Sequence, residues 1–91
     1  MARPPEREKW ATTADVAAAA RVTTVTALDW VKRGVLPAYT VVYAGRRGRA
    51  ARWPLYAPAQ AVWVREQLDA GLTFAEIVEL LSKGGFSKSD S

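Results

Sequence analysis

Ninety-one residues, 49% of them apolar and four of them tryptophan, suffice for one packed domain of modest stability and argue against wholesale disorder. With no Cys and no His, the chain lacks disulfides, thiolate chemistry, the usual general base and the commonest metal ligand, so neither a cofactor nor an enzyme is expected. The net charge is +4 and unevenly spread, because no acidic residue falls between Asp29 and Glu66 whereas Lys32, Arg33, Arg46, Arg47, Arg49, Arg52 and Arg65 do. A basic middle in a nearly balanced chain marks a surface directed at a polyanion.

In chain order, residues 1–9 are rich in proline and charge without periodicity and read as a disordered arm, with Trp10 as the point where the chain joins the fold. Their lack of an apolar stretch predicts no secretion signal, and the longest apolar run, Val16 to Ala20, is far too short to span a bilayer. A cytoplasmic, nucleoid-associated location with no membrane partner is the expectation. Thr12-Thr-Ala-Asp15 has capping-box spacing and opens a short helix to about Ala20, whose alanines allow close approach to a neighbour.

After the tight join Arg21-Val22, the stretch Thr23 to Gly34 reads as a second short helix with both ends marked. Thr23 is a good N-cap, Gly34 suits the left-handed closing position, and Pro37 prevents restart. Val22, Ala27, Trp30 and Val31 form its inward face, while Thr24, Leu28, Lys32 and Val25 point elsewhere. Two helices so joined suggest a helix-turn-helix, whose second helix, residues 24–33, would enter the DNA major groove. Thr23, Thr24, Val25, Thr26 and Leu28 are then the candidates for base edges or the groove wall. Asp29 would be repelled by DNA unless it pairs with Lys32 or Arg33, the favoured reading, or accepts from a cytosine amino group.

Thr40 to Tyr43 is β-branched and aromatic and reads as a strand; Gly45-Arg-Arg-Gly48 is a turn; and Arg49 to Trp53 is the return strand, stopped by Pro54. Such a hairpin resembles a wing, with Lys32, Arg33, Arg46, Arg47, Arg49 and Arg52 as the candidate phosphate contacts. Ala57-Pro58 opens a third long element closed by Gly71, with Ala61, Val64 and Leu68 on one stripe and Trp63 off it, half-buried against the hairpin. Thr73-Phe-Ala-Glu76 is a full capping box for the last helix, with Phe74, Ile77, Val78 and Leu81 on its buried face and Gly84-Gly85 ending it. Residues 84–91 read as a disordered tail. The whole is a mainly α domain over residues 10–83, a winged helix-turn-helix of about four helices plus a two-stranded wing.

The co-linear set Thr12-Thr-Ala-Asp-Val-Ala, Val22-Thr-x-x-Thr26, Trp30, Gly34-Val-Leu-Pro37, a basic hairpin, Tyr56-Ala-Pro and Gly71-Leu-Thr-Phe-Ala-Glu-Ile-Val-Glu-Leu-Leu81 resembles the DNA-binding domain of MerR-type winged-helix regulators. The resemblance implies a second helix in the major groove and wing arginines on flanking backbone. Leu28 stands where the family usually carries Arg, and Asp29 where it carries an aromatic, so the phosphate contacts made there are not implied. Nor is metal sensing, which uses Cys and His. Family members continue into a dimerisation helix and an effector domain, whereas this chain ends within ten residues of its last predicted helix. It therefore resembles stand-alone relatives: compact regulators, phage or plasmid excisionases, and terminase small subunits.

The expected function is sequence-specific binding of double-stranded DNA, as a transcription regulator acting as a homodimer or cooperative multimer, with no small-molecule effector. An excisionase or terminase-type role in shaping DNA is the alternative within that class. A protein-interaction module anchored on exposed Trp53, Tyr56 or Trp63 is the alternative outside it.

Overall fold

The computed structural model describes residues 10–43 and 49–86, with the backbone alone at Tyr43, Arg49 and Ala50. The described residues form α1 (Thr13–Ala20), α2 (Thr24–Lys32), β1 (Thr40–Tyr43), β2 (Arg49–Arg52), α3 (Ala57–Asp69) and α4 (Phe74–Ser82). Four helices and an antiparallel hairpin in this order make a winged-helix-like fold.

The helix ends follow local chemistry. Thr12, Thr23 and Thr73 sit in extended backbone and accept the amides of Asp15, Thr26 and Glu76 on their hydroxyls. Asp15 and Glu76 return the bond to the cap amides, completing capping boxes at α1 and α4. Every helix then closes with the same paired backbone bonds. The amides of Val22, Val35, Leu72 and Gly85 reach back five residues to Ala17, Trp30, Gln67 and Leu80. Those of Arg21, Gly34, Gly71 and Gly84 reach back three residues. Such a closure needs a left-handed residue, supplied by glycine at 34, 71 and 84 and by Arg21 at φ 60°.

The hairpin pairs Thr40 with Arg52, Val41 with Ala51, Val42 with Ala50 and Tyr43 with Arg49. The turn expected over 45–48 lies outside the described residues. Beyond β2 the ladder continues onto the N-terminal segment, where Ala11 and Trp53 exchange both amide–carbonyl bonds at 2.8 and 2.9 Å. Trp53 is fully buried; its indole N–H donates to Thr13 Oγ1 at 2.8 Å and its ring lies 4.9 Å from Tyr39. Burial of this size needs a partner for the N–H, and Thr13 provides it.

Around it the core is built largely of small side chains. Ala17 and Ala20 of α1, with Ala57 and Ala61 of α3, are buried and let these two helices pack closely. Val16, Trp30, Val35, Leu36, Val64 and Ile77 fill the rest. Gln60, the buried polar residue, donates to the Val35 carbonyl at 2.9 Å and so fixes the chain leaving α2 against α3.

Three expectations need correction. Val78 is 39% exposed, because α4 covers an edge of the domain and turns only Ile77 fully inward, with Phe74 and Leu81 half-buried. A Cβ on Gly34 would lie 3.6 Å from Val78 Cγ2, so Val78 covers the end of α2 instead. Phe86 is not tail: its ring stands 5.9 Å from Trp63, which is half-buried and packed on the core. Trp53 is inside, which removes it as an interface anchor.

Two substitutions test this framework. Trp53→Phe removes the bond to Thr13 and part of the core volume, at a cost of about 2 kcal/mol. Thermal unfolding by circular dichroism should read this as a fall of roughly 8–16 °C. Arg21→Gly should act in the opposite direction. It relieves left-handed backbone strain of about 1 kcal/mol, partly offset by a looser unfolded chain, and should raise the midpoint by roughly 2–4 °C.

Candidate nucleic-acid interface

Helix α2 has two unlike faces. Ala27 and Trp30 are buried at 0% and 4% exposure, whereas Thr24 and Lys32 are exposed and Val25 is exposed to 73%. Val25 and Lys32 are seven residues apart and so share one stripe, two turns apart. Thr23 and Thr26 are brought together at the cap: the Thr23 hydroxyl accepts from the Thr26 amide at 3.1 Å and donates to the Thr26 hydroxyl at 3.0 Å. Because Thr26 occupies the position that Asp15 and Glu76 hold in the capping boxes, the first turn of α2 carries no acid, and no side chain of that turn counters the positive end of its dipole.

Leu28 is half-buried and packed against the core, so it lies at the margin of the outer face of α2. Asp29 is paired, and of the two partners its spacing left open, Lys32 and Arg33, it takes Arg33. Arg33 Nε donates to Asp29 Oδ2 at 2.6 Å, with both side chains about half exposed at 49% and 47%. The same guanidinium lies 4.5 Å over the ring of Phe74. Arg33 thus neutralises the one carboxylate on this helix and ties it to α4.

Arg52 is exposed at the base of the hairpin, its guanidinium 3.9 Å over the ring of Trp10. Arg46 and Arg47 lie outside the described residues, and so does the side chain of Arg49.

Arg65, counted among the cations of the basic interval, has a structural use. Its Nη1 donates to the Ala20 carbonyl at 2.9 Å and to the Arg21 carbonyl at 3.5 Å, and its Nε to Asp69 at 3.3 Å. The last turn of α1 has no basic residue of its own, and Arg65 supplies one from α3 at the negative helix end. Periodicity could have flagged it, since Arg65 lies beside the apolar stripe of Ala61, Val64 and Leu68. A cavity of about 270 Å³ beside it is lined by Ala19, Ala20, Arg21, Val62, Arg65, Glu66 and Asp69, with no residue from α2 or the hairpin. Among the described residues no cluster of His, Cys, Asp and Glu could hold a metal ion, and no helix is long and apolar enough to cross a membrane.

The arrangement offers a surface helix with a short-chain, acid-free leading turn and cations behind it. Comparison with protein-family models, with curated proteins and with solved structures finds no match.

Arg65→Met should lower stability by about 1–2 kcal/mol by uncapping α1. It should leave unchanged the salt dependence of any binding to duplex DNA, whereas loss of a phosphate contact would reduce that slope by about one.

Proposed function

We propose that this chain is a sequence-specific double-stranded DNA-binding protein of the compact MerR-like kind, acting as a transcription regulator and not as an enzyme. The reading rests on one observation above all: α2 is held by Ala27 and Trp30 with its leading turn, Thr23 to Val25, turned outward. An α-helix so displayed fits the width of a major groove. The absence of acid between Asp29 and Glu66 and the pairing of Asp29 with Arg33 suit it to a polyanion.

In this proposal Thr24 and Val25 meet base edges, and Lys32 meets phosphate. The wing arginines Arg46, Arg47 and Arg49 meet flanking backbone or the minor groove, joined by Arg52 from the hairpin base. A single domain of this size covers little DNA, so tight binding calls for a homodimer or adjacent copies on one duplex. Burial of Trp53 and the pairing of Trp63 with Phe86 count against the rival reading, in which those rings are open anchors for a protein partner.

Fluorescence anisotropy against a random-sequence duplex over a salt series tests the proposal. With about five phosphates neutralised, log affinity should fall against log salt with a slope of about −4 to −5. Arg46→Ala combined with Arg47→Ala should weaken binding to all sequences alike and make the slope shallower by about two. No binding even at low salt would reject the proposal.

A further inference from the structure

The outward face of α2 is short of the groups that read DNA by hydrogen bonding. None of the seven residues from Thr23 to Asp29 is Arg, Lys, Asn or Gln, the side chains that make bidentate contacts with guanine or adenine. Asp29, which could accept from cytosine, is held by Arg33 at 2.6 Å. The hydroxyls of Thr23 and Thr26 are engaged with each other at the cap. What the helix does present at its leading turn is the single hydroxyl of Thr24 and, beside it, the isopropyl group of Val25, 73% exposed and on the same stripe as Lys32.

An exposed valine has no meaning by itself. Its position supplies one. Val25 projects from a helix whose opposite face is buried in the core and whose last turn, with Lys32, opens the acid-free basic interval that follows Asp29. The one apolar group that a base pair displays in the major groove is the methyl on pyrimidine C5.

We propose that Val25 reads that methyl group, and that the preferred site is set at this position by apolar contact and not by a hydrogen bond. The inference rests on the DNA-binding reading above and narrows it to a ligand chemistry, a C5-methylated pyrimidine. Thymine and 5-methylcytosine both carry it. Contact removes the isopropyl group and the methyl from water together and adds dispersion between them. The gain is about fourfold in affinity for each contacted methyl, the value for one buried carbon of this kind. Unlike the phosphate contacts, it involves no counterion release and is insensitive to salt.

The test begins by enriching the preferred duplex from a random library with the wild-type protein. Each thymine is then replaced singly by deoxyuridine, which keeps every hydrogen-bonding group and loses only the methyl. One replacement should weaken wild-type binding by about fourfold, equally at low and high salt. At that same position a C·G pair carrying 5-methylcytosine should bind better than its unmethylated form, which separates the two sources of the methyl. Val25→Ser should bind the thymine and uracil duplexes alike, and an unchanged melting temperature would show its fold intact.

If an enriched site binds equally well with every thymine replaced, or Val25→Ser still discriminates thymine from uracil, the methyl contact is wrong while DNA binding stands. If no duplex is enriched and none binds at low salt, the DNA reading fails and takes the methyl contact with it.

Discussion

The fold depends on the burial of Trp53. Its ring stacks near Tyr39 ahead of β1, its N–H reaches Thr13 in the first turn of α1, and its backbone pairs with Ala11. Two segments distant in sequence, one around Ala11 and Thr13 and one at Tyr39, therefore meet on one residue that follows β2 directly. An indole gives much apolar area but demands a hydrogen bond at one edge, so it fits in a single orientation. That requirement sets where the hairpin roots against α1. With α1 and α3 in close contact through alanine, it leaves α2 on the outside of the domain, held by Ala27 and Trp30.

Most of this architecture was legible because the helix ends are written in local chemistry. The threonine caps at 12, 23 and 73 and the glycines at 34, 71 and 84 satisfy backbone groups within a few residues, so neighbouring sequence is enough to place them. Arg21 shows the limit of such signals. It occupies the same left-handed position as those glycines, and nothing in its residue type announces that. The packing of Phe86 on Trp63 was hidden for a related reason: a lone aromatic among serines and lysines carries no periodicity.

The candidate interface was legible in outline and less so residue by residue. Of Lys32 and Arg33, both within reach of Asp29, the structure chooses Arg33; spacing along a helix found only that Asp29 would be paired. It could not find that Arg33 also covers Phe74, that Arg52 covers Trp10, or that Arg65 caps α1, since each partner comes from another element. A linear count of cations therefore does not show which of them also hold the fold together. Lys32 keeps its exposed place, and Leu28 is drawn toward the core by a neighbourhood that the helical wheel alone does not contain.

The hydrogen bond between Trp53 and Thr13 also bears on how the chain acquires its shape. Its partners are 40 residues apart, and Arg65 reaches Ala20 across 45, whereas every helix cap closes within five. Short helices with self-satisfied ends can flicker into being quickly, while closing long loops carries an entropic cost before any contact is gained. The slow event is thus the arrival of the indole, not the winding of α2. Before it arrives, α2 can exist as a helix with no fixed direction. Afterwards α1 is anchored to the hairpin, and α2, which packs on α1 across a three-residue join, takes its direction from there.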